Sequence, residues 1–553
     1  MNEIARILLC VTLAAPLAAA AFAQQPPPAS GVAATQAVEF EPTPPYAERA
    51  AARGPVLALS ARDVVERALR SNLDLMIERY TQQLSRQRVV AAQSFYDPAV
   101  SLATTVNSAT NPVLTSALLG AAAIPSETVD TSGFGPALRQ NLPGGGNVAA
   151  ALTSNRTRTT SASALMNPAF SSLFSLAVTQ PLLRGFVRTL AERQISVFRL
   201  DEEIALSQYR QRATAVLQQA LNQYWELVFA IESYEARRRS KDVALLQYES
   251  TSIRAQNGLV APVALTAARA EIASRERDIL QAEVQIIAAE NALKQLLSSD
   301  PASPLWDTSL VPTDRPDVDA EPLTFQQALA LAQQRRPEVQ QLRLQASQNR
   351  VDTAFLRWEK LPTVSVTANL AAVGRSGTVL RRTPEGTAID AANPALGGLH
   401  RTFRQVFDFD FPAWSVGINV QVPLRNRSAA AQYEQARLAG ARLATQMTRT
   451  VQALSAEARN AVQTIATQRK SLEAARLTAQ LFEEQLQAQT ARYESGFSTE
   501  FELLRHQRDL VDARVRELRA LIDLQISLIG LQKATDTLLD ALGVDLASLT
   551  VTR

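Results

Sequence analysis

Residues suited to catalysis or metal binding are scarce in this sequence. Its 553 residues include two histidines, His400 and His506, and one cysteine, Cys10. Since His400 falls in a predicted loop and His506 on a predicted helix, the two do not form a metal-binding pair. The chain has no Gly-x-Ser-x-Gly turn and its only thiol lies near the N-terminus, so nucleophilic catalysis has no evident centre. We therefore expect no enzymatic activity, no metal and no cofactor.

A run of three glycines is the remaining motif with a possible ligand. Gly144-Gly145-Gly146 lacks the following Lys and Ser/Thr of a phosphate-binding loop, so a tight turn is the preferred interpretation. The charge balance gives no ligand either. Lys+Arg 56 against Asp+Glu 53 leaves a net charge of +3, with basic and acidic residues interspersed as on solvated helix faces. We expect no nucleic acid as a partner.

The N-terminus indicates export. Residues 1–23 contain the apolar run from Ile7 to Ala21, and Ala21-Phe22-Ala23 forms a small-x-small cleavage site, as in a secretory signal. Cys10 lies inside this segment, so we expect no disulfide in the mature chain. The Pro-rich residues 24–57 predict an extended, poorly ordered segment. No later stretch approaches the roughly 18–20 continuous apolar residues of a membrane helix.

The pattern of the remaining chain occurs twice. Leu59-Ser60 returns 264 residues later as Leu323-Thr324, and Gly258 corresponds to Gly496. Internal repeats determine the architecture of a chain. The sequence therefore predicts these segments: a signal peptide (1–23), an N-terminal extension (24–57), a first repeat (58–299), a linker (300–322), a second repeat (323–545) and a C-terminal tail (546–553).

Each repeat opens with a helix and continues with strands. Residues 59–96 predict the first helix, with Ser60 as its N-cap and Asp63 three residues on. Then apolar residues alternate with small or polar ones over runs of about nine or ten residues, which is typical of transmembrane β-strands. A soluble sheet with one wet face is the alternative. The four predicted strands centre on Val100–Val106, Phe174–Val178, Val364–Leu370 and Trp414–Val422.

Two further features lie between these strands. Residues 111–173 and 376–411 are rich in Gly, Ser, Thr and Asn and are expected to form external loops. Within the first, Phe134–Leu142 and Asn147–Asn155 flank the glycine turn like a hairpin. Whether this hairpin adds membrane strands stays open at this point.

A very long helix follows each pair of strands. Val187–Asn257 contains neither Pro nor Gly over 71 residues, which would extend about 105 Å. Its counterpart, Ser428–Ser495, has apolar residues at alternating three- and four-residue steps from Val451 to Leu486, with Gln468 as the one polar exception, and this is the pattern of a supercoiled seam. Each helix turns at a glycine and returns through Val263–Ser299 or Thr499–Leu542. Helices this long that bury only a narrow apolar seam cannot form a compact monomeric core, so they need neighbouring helices.

Strands need closure in lipid, because open edges leave backbone groups unsatisfied. Four strands are too few for a closed barrel, whereas three chains would supply twelve strands and about twelve helical staves. The expected fold is a mixed all-α/β-barrel membrane protein. It contains a duplicated helix–strand–strand–long helix–helix unit, and its trimeric 12-stranded β-barrel is continuous with a long α-helical periplasmic tunnel.

This plan resembles that of the TolC-type outer-membrane efflux proteins, or outer membrane factors, over residues 59–545. The motifs that carry the resemblance are Gln180-Pro181-Leu182-Leu183-Arg184-Gly185, Val422-Pro423-Leu424, Tyr493-Glu494-Ser495-Gly496-Phe497-Ser498-Thr499, Phe501-Glu502-Leu503-Leu504 and Leu538–Gly543. The resemblance implies a homotrimeric exit channel in the outer membrane of a Gram-negative bacterium. It also implies two partners, a periplasmic adaptor and an inner-membrane pump of the RND or ABC type, that serve efflux or type I secretion.

The resemblance further assigns roles to residues at the helix turns. It implies adaptor contacts at Gly258, Leu259, Val260, Gly496, Phe497 and Ser498, and a gate or constriction at Tyr493, Glu502 and Arg505. Glu502 matches the first of two acidic ring positions, but Arg505 occupies the second, so the cation preference should be weaker. Ser498 and Ala264 stand where the best-known member has an ion pair, and that latch is expected to be missing.

Two other functions remain open on sequence alone. A periplasmic adaptor also carries a long helical hairpin, but usually a single one on a soluble β domain. A structural coiled-coil tether would explain the heptads but not the paired strands.

Overall fold

The computed structural model describes residues 45–112, 126–161, 163–186, 189–258, 260–316, 323–383, 386–393 and 395–544, so the predicted signal segment lies outside it. The first half contains α1 (Tyr46–Arg53), β1 (Val56–Leu59), α2 (Ala61–Ser71), α3 (Leu73–Gln93), β2 (Ala99–Pro112), β3 (Ser126–Asn141), β4 (Asn147–Thr159), β5 (Met166–Pro181), α4 (Leu190–Gln256) and α5 (Pro262–Leu297). The second half contains β6 (Ser309–Pro312), α6 (Phe325–Arg335), α7 (Pro337–Trp358), β7 (Thr363–Thr383), β8 (Gly386–Ile389), α8 (Leu399–Phe407), β9 (Pro412–Gln421), α9 (Arg427–Glu494), α10 (Glu500–Ala534) and α11 (Leu538–Ala541).

The helix expected over residues 59–96 is two helices. Ser60 caps α2 in a capping box with Asp63, as predicted. The chain then breaks at Asn72, whose side chain accepts hydrogen bonds from the backbone N–H groups of Asp74 and Leu75 and so caps α3. The second half breaks at the corresponding place, between α6 and α7, where Pro337 is the first residue of α7. Asn and Pro favour helix starts over helix interiors.

The N-terminal extension and the linker are more regular than the sequence suggests. Residues 46–53 form α1, although the Pro-rich segment was expected to be extended. Strand β1 pairs in parallel with β6 from the linker, and Leu59 and Leu310 of this ribbon are buried against α4 and α5. The ribbon therefore joins the segment before the first repeat to the segment after it.

The main sheet corrects the expected number of strands. Six long strands of the described residues pair antiparallel in the order β2-β3-β4-β5-β7-β9, and the short β8 pairs with the far end of β7. The prediction of four strands per chain, on which the twelve-stranded barrel rested, is therefore wrong. Strands β3 and β4 occupy part of the expected loop 111–173. The alternation of apolar and polar residues in these strands is interrupted by Gly133, Gly135 and Pro136 in β3 and by Ala149–Ala151 in β4.

The two faces of this sheet differ in polarity. Among the six long strands, every cross-strand pair joins two even-numbered or two odd-numbered residues, except Met166 and Val379 beyond a register shift in β5. Residues of one parity therefore share a face over the rest of the sheet. The even face carries most of the large apolar side chains, including Val100, Leu102, Leu138, Val148, Leu152, Phe174, Leu176, Val178, Val364, Val366, Leu370, Trp414, Val416, Ile418 and Val420. The odd face carries mainly Ser, Thr, Asn, Ala and Gly at the same levels. An apolar-out, polar-in wall has this pattern.

The long helices match their predicted extents. Helix α4 packs against α3 and α5 on one side and against α7 and α10 on the other, while α9 packs against α7 and α10. The heptad predicted on α9 is confirmed. Its positions Leu454, Ala458, Ile465 and Leu472 are buried, and three of them cluster with residues of α10. Among the described helices, none is both long enough and apolar enough to cross a membrane.

Candidate functional site at the helix turns

Both long hairpins reverse at a glycine. Gly258 has φ +72° and Gly496 has φ +79°, in the left-handed region that glycine occupies without strain. Each return helix has its own start signal, since Pro262 is the first residue of α5 and Thr499 accepts a hydrogen bond from the backbone N–H of Glu502 in α10. The predicted turn positions are therefore confirmed as turns.

The turns present apolar side chains to solvent. Phe497 is 82% exposed and Phe501 is 71% exposed, and Val263 on the neighbouring hairpin is 73% exposed. Leu259 lies outside the described residues. Exposed large apolar side chains that converge on one end of a molecule mark a contact surface rather than a core.

Tyr493 connects the two hairpins. Its hydroxyl accepts a hydrogen bond from Nε2 of Gln247 on α4 at 3.2 Å. Its ring lies under the guanidinium of Arg254, with Cζ 5.1 Å from the ring centroid. A stacked guanidinium and a hydrogen-bonded phenol hold the end of α9 against the end of α4.

Two further polar contacts join the hairpins. The hydroxyl of Thr251, which is fully buried, donates to Oε1 of Glu500 at the start of α10. The guanidinium of Arg508 on α10 donates a hydrogen bond to the carboxylate of Glu271 on α5. This hydrogen bond raises the pKa of Arg508. We call these three contacts, Gln247/Arg254–Tyr493, Thr251–Glu500 and Glu271–Arg508, the inter-hairpin latch.

Arg275 reinforces the contact between Glu271 and Arg508. Its Nε donates to Oε1 of Glu271 at 3.0 Å, and its guanidinium also reaches the carbonyl of Leu504 at 3.5 Å. Burial lowers the pKa of Arg275, partly offset by Glu271. The Glu271 carboxylate thus lies between two guanidinium groups, one from each hairpin.

Glu502 has partners within its own hairpin. Its Oε2 accepts hydrogen bonds from Gln489 and from Ser498, both at 3.0 Å. The side chain remains exposed, as does Arg505 one turn further along α10. The carboxylate is therefore oriented by α9 and the turn, and it keeps a free oxygen for solvent or ions.

A groove of about 1210 Å³ separates the tips of the two hairpins. Tyr493, Ser498, Arg505 and Ala264 line it. Two of the three predicted gate residues, Tyr493 and Arg505, thus lie at this groove. The third, Glu502, forms the hydrogen bonds described above within its own hairpin. Neither Ser498 nor Ala264 carries a charge, so the ion pair that the resemblance assigns to these two positions stays a predicted loss.

The latch residues on the first hairpin were not found from the sequence. Gln247, Thr251 and Arg254 stand on α4 some 246 residues before their partners, and nothing local distinguishes them from a solvated helix face. The one available signal was the near-equal length of the two long helices, which brings their ends to the same level.

Comparisons with known proteins agree with this architecture. Residues 328–537 match the family model described as outer membrane efflux protein. None of the curated proteins matches the chain by sequence. The fold is similar to that of CusC (TM-score 0.60, 15% identity, 86% of this chain and 91% of that one). It is also similar to CmeC, an outer membrane channel of Campylobacter jejuni (0.57, 16%, 86% and 86%), and to VceC, an outer membrane protein of Vibrio cholerae (0.57, 17%, 88% and 96%). At these identities the likeness establishes the fold.

Proposed function

We propose, from the membership of residues 328–537 in the outer membrane efflux protein family, that this chain is the outer-membrane exit channel of a tripartite efflux or type I secretion system. It is a passive conduit without catalytic activity, and a partner pump supplies the energy. The observation that carries the proposal is the continuity, within one chain, of a two-faced sheet with paired helical hairpins about 100 Å long.

Self-association is supported by apolar stripes on the outer helices. On α3, Leu73, Ile77, Tyr80 and Leu84 follow heptad spacing and are all at least half exposed. On α5 the exposed stripe is Leu280, Val284 and Ile287, and on α9 it includes Leu477 and Leu481. Because α3 and α5 lie on one side of the helix layer and α9 on the other, copies can join side by side. In a homotrimer, the helix layers of the three copies close into the expected tunnel.

The barrel of such a trimer has eighteen strands instead of twelve. The outer strands of the sheet, β2 and β9, each have one unpaired edge in the single chain. Pairing β9 of one copy with β2 of the next removes all such edges. With six strands from each of three chains, the closed wall has eighteen. Its diameter is about 1.5 times that of a twelve-stranded barrel, since diameter grows roughly linearly with strand number.

The helix turns provide the adaptor contact and the gate. The exposed Phe497 and the half-buried Val260 lie with Gly258, Gly496 and Ser498 at the helix turns and suit an apolar adaptor surface. Leu259, which lies outside the described residues, is assigned to the same contact. Tyr493, together with Glu502 and Arg505, belongs to the constriction. The inter-hairpin latch holds the closed arrangement, and opening separates the hairpins when the adaptor and pump favour the open state.

The proposal is tested by purifying the chain from outer membranes in mild detergent. We expect a threefold-symmetric particle by electron cryomicroscopy, with eighteen strands in its barrel, and ion conductance after insertion into a planar bilayer. A periplasmic adaptor or a coiled-coil tether would fractionate outside the outer membrane and give no conductance. A conducting trimer with twelve strands would uphold the channel and contradict only the proposed number of strands.

Glu502→Gln tests the proposed constriction. One unit charge about 5 Å from a permeating ion contributes about 0.8 kcal/mol in water, or about fourfold in local cation concentration. Because the proposed trimer loses three such charges, we expect the cation-over-anion permeability ratio to fall by at least that factor. Reversal potentials in a salt gradient measure it. Glu473→Gln, an exposed position on α9 with no charged partner among the described residues, is the control. Equal ratios for both variants would remove Glu502 from the constriction.

A further inference from the structure

Helix α8 lies against the apolar face of the sheet. The hydroxyl of Thr402 is 2.7 Å from that of Ser172, and Ser172 in turn is 2.9 Å from Ser154. A Cβ at Gly374 would come within 2.2 Å of the carbonyl oxygen of Thr402. Ser154, Ser172 and Gly374 are all even-numbered, so the helix lies on the face with the large apolar side chains. In the proposed barrel this face is turned towards lipid.

Aromatic packing fixes the level of α8 along the strands. Phe403 meets Phe134 of β3 edge-on, with centroids 6.1 Å apart, and Phe409 meets Phe174 of β5 at 6.5 Å. Phe134 and Phe174 are at the outer end of the apolar band, far from the strand ends that lead into the long helices. The helix therefore lies at one rim of the band.

Exposed aromatic side chains lie at and just after the C-terminal end of α8. Phe407, Phe409 and Phe411 are 63%, 42% and 59% exposed, and Trp414 at the start of β9 is 78% exposed. These four residues form the aromatic part of what we call the outer rim surface. Rings at this level are typical of the boundary between hydrocarbon and head groups.

Basic side chains lie beside and beyond this aromatic part. His400 and Arg404 are exposed on α8, and Arg156 and Arg158 are exposed on the even face of β4. Arg156 is four residues past Leu152, which is about 13 Å along the strand from the apolar band. Within the described residues the three arginines form no salt bridge. Asp408 and Asp410 follow the helix, and Asp130 is the cross-strand neighbour of Arg158 on the same face. The cations of this surface are the guanidinium groups of Arg404, Arg156 and Arg158.

We propose that the outer rim surface binds phosphorylated lipid of the outer leaflet, with the aromatic side chains in the acyl region and the three arginines on the lipid phosphates. The inference rests on the proposed function, since it needs the even face to be in a membrane. Charge complementarity selects the occupant, because guanidinium groups bind phosphate oxygens in paired geometry. A second copy of the chain fits less well, since its strand β2 would meet β9 through backbone pairing and leave the arginines in solvent.

The test is lipid retention by the purified trimer. Native mass spectrometry after incubation with bisphosphorylated lipid A is expected to show bound lipid, and dephosphorylated lipid A is expected to bind far less. Each basic residue near an anionic membrane surface contributes about 1 kcal/mol. The triple variant Arg156→Gln, Arg158→Gln, Arg404→Gln should therefore lower the apparent affinity by about two orders of magnitude. Arg375→Gln, exposed on the opposite face of the same sheet, is the matched control and should retain lipid normally.

Other outcomes are distinguishable. Unchanged retention in the triple variant, or equal binding of the two forms of lipid A, would overturn the proposal while conductance of the same trimers upheld the channel. Displacement by millimolar inorganic phosphate alone would indicate a phosphate site without lipid recognition, and would also overturn it. Failure of the wild-type chain to form conducting trimers would instead count against the proposed function.

Discussion

The combined variant Arg254→Gln and Tyr493→Phe is expected to open the channel. The change removes the hydrogen bond from Gln247 and the stacked guanidinium, and leaves both helices otherwise intact. One hydrogen bond and one cation–π contact together contribute about 1.5 kcal/mol per chain. Over three chains the closed state loses about 4.5 kcal/mol. The closed-to-open ratio then falls by about three orders of magnitude.

Planar-bilayer recordings measure this directly, and we expect conductance to increase several-fold over the wild type. Cells that produce the variant should become sensitive to large antibiotics that the outer membrane normally excludes. Arg492→Gln is a matched control, because Arg492 is exposed next to Tyr493 and has no ion pair within the described residues. If the double variant conducts like the control, the inter-hairpin latch does not hold the closed state.

Gly145→Ala is expected to prevent assembly almost completely. Gly145 has φ +78°, and a Cβ there would come within 2.1 Å of the carbonyl oxygen of Gly185, a backbone atom that cannot move without shifting the start of α4. The left-handed conformation costs a non-glycine residue about 1–2 kcal/mol, and the clash adds to that cost. The expected result is loss of the heat-stable trimer from outer-membrane fractions, measured by gel mobility of unheated samples.

Gly144→Ala separates the two contributions. Gly144 also has positive φ, at +88°, but its added Cβ would lie 3.7 Å from the nearest atom, an ordinary contact. This control carries the conformational cost without the clash, so it should assemble with modestly reduced thermal stability. Equal losses for both variants would mean that backbone conformation, and not the close contact with Gly185, makes the glycine turn necessary.

The elements predicted correctly from sequence have strong local signals. The absence of Pro and Gly over 71 residues predicts the first long helix, and a stretch without Pro and with only Gly440 predicts the second. A left-handed glycine ends each of them. Strands β2 and β9 alternate cleanly because one face carries large apolar side chains and the other small polar ones. For these elements local pattern and tertiary environment agree.

The failures have a different physical origin. Strands β3 and β4 form the hairpin expected around the glycine turn, but the sequence does not place them in the main sheet. They are held between neighbours on both sides, and backbone pairing stabilises segments whose side chains alternate poorly. Tyr80 and Leu84 recur at helical spacing within the predicted helix and lie on α3, but both side chains are exposed in the single chain. A periodic pattern indicates that a face is apolar and does not indicate which molecule covers it.

The candidate site also contains some residues that the sequence predicts and others that it does not. Gly258 and Gly496 were predictable because a sharp reversal needs a particular backbone conformation. The partners of Tyr493 were not, because Gln247 and Arg254 are ordinary helix-surface residues whose positions depend on how two distant hairpins align. The near-equal lengths of the two long helices bring their ends to one level, but they do not identify which surface residues meet there.

The inserted hairpin β3–β4 has a consequence for permeation. It widens the strand wall without adding a helix, because the turn at Gly144–Gly146 ends at the junction and packs against Pro181 and Gly185. In the proposed trimer, an eighteen-stranded mouth above the same number of staves would have a cross-section about 2.3 times that of a twelve-stranded one. Electrically, mouth and shaft are resistors in series, so the broad mouth adds little resistance. Measured current should therefore report almost entirely on the far, narrow end.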